Sequence, residues 1–317
     1  MTGPAIAVER LTKRYGDVEA VRGIDFEVAD GEVFGFLGPN GAGKSTTINM
    51  LCTLLTPTSG RASVAGHDVV ARRDRVRRSL GLVFQESTLD GYLTAVQNLR
   101  FHADLYGVPR AAATERIGSL LELAGLWERR DDLVSTFSGG MRRRLEIVRG
   151  LLHTPRVLFL DEPTIGLDPQ TRAAIWDHVH ELRLRERITV FLTTHYMQEA
   201  EHCDRVAIMD HGAIAVIGAP DALKSAVGED RLWIRTADDG AAEAALRERF
   251  GLEAARQGDA LTFTVPEGES FLPRLIAGLG VPISSVQFAR PTLEDVFLAH
   301  TGTTIRDAAT PAGATAG

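Results

Sequence analysis

Gly38-Pro39-Asn40-Gly41-Ala42-Gly43-Lys44-Ser45-Thr46 decides how this 317-residue chain is read. The stretch follows the apolar run Glu32 to Leu37 and precedes Ile48, Leu51, Cys52 and Leu55 at helical spacing, so the order is strand, glycine-rich loop, helix. That is the phosphate-loop pattern, and each part has a physical reason. Glycines let successive N–H groups form a concave nest around a phosphate, and the helix N-terminus adds its positive end. Lys44 is placed to reach β- and γ-phosphate oxygens and Ser45 to offer Mg²⁺ a hydroxyl.

Working outward, Val157-Leu158-Phe159-Leu160-Asp161-Glu162-Pro163 is a buried strand that delivers two carboxylates at its C-terminal end, where open α/β sheets bind ligands. Asp161 is expected to hold the Mg²⁺ shell and Glu162 to polarise the water that attacks the γ-phosphate. Further buried strands are predicted at 80–84, 188–193 and 206–209 and a helix at 170–187, which implies an α/β fold with a mostly parallel sheet. Alternation at Ile6 and Val8, then Ile24, Phe26 and Val28, predicts antiparallel strands before residue 31. Helical patterns at 95–106, 112–124 and 141–152 predict a helical subdomain, about 87–153, inserted into the sheet. After Pro220 the expected order is strand 231–236, helix 241–250, strands 252–256 and 260–265, helix 269–279 and strand 283–289, a small α+β ferredoxin-like unit. The expected organisation is thus a main domain over 1–220, a small C-terminal domain over 221–300, and a disordered tail over 301–317.

Composition narrows the function class. With 44% hydrophobic and 24% charged residues the chain can bury a core. A net charge of −7 argues against nucleic acid as a partner, because that affinity comes mostly from Lys and Arg on phosphates. The basic groups Arg72, Arg73, Arg75, Arg77, Arg78 and Arg142, Arg143, Arg144 read as solvated or salt-bridged helix faces. No run approaches the roughly 18 apolar residues of a membrane span, and the first residues lack a leader pattern, so a cytosolic chain is expected. Cys52 and Cys203 read as reduced core thiols.

Ser138-Gly139-Gly140-Met141, ahead of the acidic strand, resembles the signature motif of the ABC transporter ATPase family. Tyr15 is similar to that family's adenine-stacking aromatic, and Gln85 after Gly81-Leu82-Val83-Phe84 to its Q-loop glutamine. Gly166-Leu167-Asp168 resembles its D-loop and His195 its switch histidine, so the likeness runs from residue 1 to about 220. The resemblance implies a P-loop NTPase core of the ABC ATPase type that binds ATP with Mg²⁺. It implies nucleotide contacts at Tyr15, Gly38 to Thr46, Gln85, Ser138, Gly139, Gly140, Asp168 and His195, metal contacts at Ser45, Gln85 and Asp161, and catalytic roles for Lys44, Gln85, Glu162 and His195. It further implies a second copy of the chain, head to tail, whose signature helix faces the γ-phosphate on this copy's P-loop. Met141, Phe137 and Ile165 stand where the family usually has glutamine, leucine and serine, which leaves those cross-dimer contacts open.

Arg290-Pro291-Thr292-Leu293-Glu294-Asp295-Val296-Phe297-Leu298 and Thr194-His195-Tyr196-Met197-Gln198-Glu199-Ala200-Glu201 resemble the daunorubicin-resistance branch of drug-export ATPases. That branch implies an energising subunit for efflux of a hydrophobic drug or natural product. It would act with a separate membrane permease at the cytoplasmic face of the cell membrane, and be cytosolic when unassembled. A groove between Gln85 and Tyr106 would receive the permease, with Leu89, Tyr92 and Leu93 either contacting it or packing in the core. A soluble regulatory ATPase of the same type, without a transport role, is the alternative. A chromosome-structure ATPase would need a long heptad repeat that this sequence lacks, and a translation-associated factor would carry two ATPase modules.

Overall fold

Apolar residues with a period of two build an antiparallel sheet at the start of the chain. In the computed structural model, which describes residues 3–302, β1 (Ile6–Tyr15) pairs with β2 (Val18–Val28) on one side. On its other side lies β4 (Ser59–Val64), followed by the short β5 (His67–Asp68). The sequence reading does not anticipate β4 and β5, because only Ala62 and Val64 of β4 are buried and no alternation is long enough to register.

The main sheet has the order β10-β9-β3-β8-β7-β6. Here β3 (Val33–Leu37), β6 (Leu80–Val83), β7 (Val157–Asp161), β8 (Thr189–Thr194) and β9 (Arg205–Asp210) are parallel, and β10 (Ala213–Gly218) returns antiparallel at the edge. Every residue of β3, β7 and β8 is buried, as expected of parallel strands covered on both faces. Register places Leu37 beside Thr194 and Asp161 beside Thr193, so the C-terminal ends of β3, β8 and β7 lie in one row. Phe26 of the antiparallel sheet stacks on Phe34 at 5.6 Å and meets Phe36 at 5.0 Å, with Phe191 and Phe159 beyond. Each such buried ring contributes roughly 1.5–3 kcal/mol, and together they fix the two sheets to each other.

The helices follow their caps. α1 (Lys44–Leu51) leaves the phosphate loop and α2 (Arg73–Ser79) precedes β6. The inserted helical segment holds α3 (Ala95–Leu105), opened by a Thr94–Gln97 capping box, α4 (Arg110–Leu123) and α5 (Gly139–Gly150). After β7 come α6 (Pro169–Glu186) and, beyond β8, the single turn α7 (Met197–Ala200).

The chain divides into two compact units at Pro220/Asp221. α8 (Pro220–Val227) leads into β11 (Asp230–Thr236), α9 (Asp239–Ala245), β12 (Ala255–Gln257), β13 (Ala260–Val265), α10 (Gly268–Gly278) and β14 (Ile283–Ala289). The strand order β12-β13-β11-β14, antiparallel throughout, is ferredoxin-like, and Leu232, Ile234, Leu246, Leu261, Phe263 and Leu275 form its core. Two expectations need correction. The helix expected to reach 250 leaves α geometry at Ala245, widens to a π turn over Leu246–Phe250 and stops at Gly251 with φ +67°. The strand expected at 252–256 is therefore delayed to Ala255, while Leu252 and Ala254 pack against the core. α11 (Leu293–Thr301) and its cap Gly302 take the first two residues of the expected tail, and 303–317 lie outside the described residues.

Candidate active site

Backbone crowding explains the phosphate loop. A Cβ on Gly38 would lie 2.1 Å from Met209 O, and one on Gly43, at φ +102°, would lie 2.5 Å from Ala20 O. Only glycine fits either position. Gly38 N donates to Thr194 O at 3.3 Å, which ties the loop to the end of β8. Lys44, 4% exposed, donates through Nζ to Gly38 O at 2.7 Å and Pro39 O at 2.9 Å and stands 3.9 Å from Glu162 Oε1. Burial pulls its pKa below the ordinary lysine value, against the opposing pull of Glu162 and Asp161.

The acidic pair divides in direction. Asp161 ends β7 and its Oδ1 accepts from Thr193 Oγ1 at 2.5 Å and from Ser45 Oγ at 3.3 Å. Glu162 turns out of the strand at φ +46°, a left-handed conformation costly for a side-chain-bearing residue and typical of functional sites. Its N–H donates to Thr193 O at 3.1 Å, and its Oε1 lies 3.3 Å from His195 Nδ1. Burial alone would raise the Glu162 carboxyl, but its contact with His195 and the charge of Lys44 outweigh that and hold it below its ordinary value. Glu162 is therefore an ionised acceptor at neutral pH.

Arg143 takes the salt-bridged alternative for its basic run, in the interior rather than on a solvated face. It is 6% exposed and donates to Phe84 O at 2.6 Å, Asp161 O at 3.2 Å and Glu162 O at 3.3 Å, as well as to Pro163 O, while pairing with Glu146 at 3.2 Å. One guanidinium thus joins the residue before Gln85 to the acidic turn. The available signal was helical spacing, since Arg143 shares a face with Ile147 and Gly150 at i+4 and i+7, both buried.

A cavity of about 450 Å³ brings together Asn40, Gly41, Gly43, Lys44, Ser45, Thr46, Gln85 and Glu162, with Ala20 and Ile165. Tyr15, half exposed at the end of β1 with Lys13 Nζ 5.2 Å from its ring centroid, lies outside that lining. So do Ser138, Gly139, Gly140 and Asp168. Ser138 caps α5, its Oγ accepting from Met141 N at 3.3 Å, and Asp168 caps α6, accepting from Thr171 N at 2.9 Å. Hydrogen bonds from the Thr171 hydroxyl and N–H hold the Asp168 carboxyl below its ordinary value. A Cβ on Gly140 would sit 2.5 Å from Thr171 Cγ2, so the two helix starts pack closely.

Residues 21–165 match the ABC transporter family, and residues 218–301 match the C-terminal domain family of DrrA1-3-like ATP-binding proteins. The daunorubicin/doxorubicin resistance ATP-binding protein DrrA of Streptomyces peucetius is 42% identical over 312 residues, which covers 95% of this chain and 94% of that protein. The chain belongs to the ABC transporter ATP-binding family. This ABC ATPase hydrolyses ATP, and it resembles cbiO1 from Clostridium perfringens, part of the transporter complex cbiONQ. That structure has a TM-score of 0.66 and 30% identity, and the match covers 70% of this chain and 91% of the other. A dimeric ATP-binding cassette in a post-hydrolysis state with ADP and Pi gives a TM-score of 0.60 at 25% identity, covering 68% of this chain and 98% of the other. Among the described residues no helix of the ABC ATPase is long and apolar enough to cross a membrane.

Proposed function

We propose that this ABC ATPase energises export of a hydrophobic drug or natural product through a separate membrane permease, as a head-to-tail dimer with two ATP molecules between its copies. The observation that carries this reading is the 95% coverage of the chain by its likeness to the daunorubicin/doxorubicin relative, second domain included. The permease is required in this reading because no described helix spans a membrane. The ATPase would bind it at the cytoplasmic face.

Ser45 Oγ and Asp161 Oδ1, 3.3 Å apart, are hard oxygen donors that fit Mg²⁺, which would neutralise phosphate charge when bound. Lys44, now on loop carbonyls, would exchange them for phosphate oxygens. Glu162 takes the proton of the attacking water, and His195, 3.3 Å away, orients the carboxylate and contacts the γ-phosphate. Gln85 reaches the same cavity from the start of the helical segment. Tyr15 offers its exposed ring to adenine. Ser138, Gly139, Gly140 and Asp168, which do not line this copy's cavity, serve the second copy's nucleotide, where the N-terminus of α5 meets the γ-phosphate. Hydrolysis removes that bridge and the copies part. The permease docks in the apolar cavity of about 480 Å³ lined by Leu54, Leu82, Phe84, Leu93, Phe101 and Leu105; Tyr92, 93% exposed, and Leu89 lie outside that lining.

Inside-out vesicles carrying the ATPase and its permease test the reading with daunorubicin and MgATP. Drug uptake should require both proteins, and Glu162→Gln should abolish it while leaving ATP binding intact. Equal uptake with Glu162→Gln, or with the permease alone, would contradict it.

A further inference from the structure

Glu199 is a buried carboxyl that the proposed chemistry does not use. It is 1% exposed on α7, four residues after His195. Its Oε1 accepts from Thr164 Oγ1, and the Thr194 hydroxyl also faces it. Those threonines mark two catalytic segments. Thr164 is fully buried two residues after Glu162, and Thr194 immediately precedes His195. Thr194 also accepts Gly38 N through its carbonyl and Tyr196 N through its hydroxyl, so it is bonded to the phosphate loop and to the turn beyond His195.

The other oxygen, Oε2, is buried without a hydrogen-bond partner. An unpaired carboxyl oxygen carries a desolvation penalty that an apolar side chain of similar volume would avoid, so packing does not account for a glutamate here. Burial pushes its carboxyl above the ordinary value, against the Thr164 and Thr194 hydroxyls, Arg172 and His195. Arg172 in turn lies 4.2 Å from the Tyr196 ring, which packs 4.1 Å from that of His195.

We propose that Glu199 is a positioning residue for hydrolysis, joining Thr164 on the Glu162 turn to the end of β8 and so setting the 3.3 Å approach of His195 to Glu162. This inference rests on the assignment of Glu162 and His195 to hydrolysis. Glu199 touches no reacting atom. Its loss should therefore lower turnover while leaving the nucleotide's own contacts, on the P-loop, in place.

The test is a double-mutant cycle in the full chain, with steady-state ATPase kinetics and fluorescent-nucleotide binding for each variant. Thr164→Val and Glu199→Leu should each lower kcat about tenfold, with KM for ATP and nucleotide affinity within about twofold of wild type. The double variant should be no slower than the slower single one, and Glu199→Gln, which keeps an acceptor for Thr164, should recover part of the lost turnover. Wild-type kcat in Thr164→Val and Glu199→Leu would overturn the proposal, as would multiplicative losses in the double variant or a rise in KM that accounts for the whole effect. Should Glu199→Leu fail to fold, Thr164→Val alone removes the bond and should still lower kcat about tenfold, with Glu199→Gln, which keeps it, losing less; equal kcat in wild type and Thr164→Val would overturn the proposal. Glu162→Gln measured alongside separates the two readings: full hydrolysis there refutes the catalytic assignment itself, whereas its loss beside unchanged Glu199 and Thr164 variants refutes only the positioning role.

Discussion

Glu162 and Arg143 show how single side chains hold the acidic turn. At φ +46° the Glu162 backbone needs outside support, and the Arg143 guanidinium supplies it by bonding to the carbonyls of Asp161, Glu162 and Pro163. Arg143→Met should therefore cost about 3–5 kcal/mol, since it strands Glu146 and several carbonyls in the interior. Urea denaturation checks this, and a loss under about 1 kcal/mol, the range of an exposed ion pair, would contradict it. The Glu162 carboxyl titrates below its ordinary 4.5 in the folded protein. Its ionisation therefore adds stability above the unfolded-state value and loses it as pH falls through the folded one. The difference in urea midpoint between wild type and Glu162→Gln should hold steady near neutral pH and shift against wild type on acidification below 4.5. A shift in favour of wild type over that range would refute the sign.

Elements became legible where chemistry or burial dictates residue type at fixed spacing. The phosphate loop needs glycine at positions that crowding confirms, and the runs Val157–Leu160 of β7 and Val190–Leu192 of β8 are apolar because both faces are covered. Arg143 and Thr193 were not visible in that way. An arginine in a run of three reads as a solvated or salt-bridged surface group until the helix face is known, and a threonine that orients Asp161 leaves no pattern of its own. The turn over Leu246–Phe250 was hidden too, because π and α geometry share an apolar spacing over one turn. α5 makes a prediction at this scale. Ser138 caps it through a hydrogen bond to Met141 N, so Ser138→Ala should lower stability by only about 1 kcal/mol. If that helix end also serves a second copy's γ-phosphate, hydrolysis should fall at least tenfold, more than the cap accounts for. Thermal melts beside ATPase rates measure both, and a rate within twofold of wild type would limit Ser138 to capping.

For the whole molecule, the residues assigned to the proposed chemistry do not all line one cavity. Lys44, Ser45 and Glu162 line one cavity, while Ser138 and Asp168, which cap α5 and α6, are not in its lining. In the proposed head-to-tail pair each copy would supply these helix ends to the other copy's cavity. Mixing two inactive variants tests it most directly. Lys44→Ala lacks the phosphate lysine, and Ser138→Arg, at an exposed position, blocks the signature helix. Each alone should hydrolyse almost no ATP. Mixed in equal amounts, half the dimers are hybrids with one intact composite site, so the rate should recover to about one quarter of wild type. A mixture that forms hybrid dimers yet stays inactive would contradict the account.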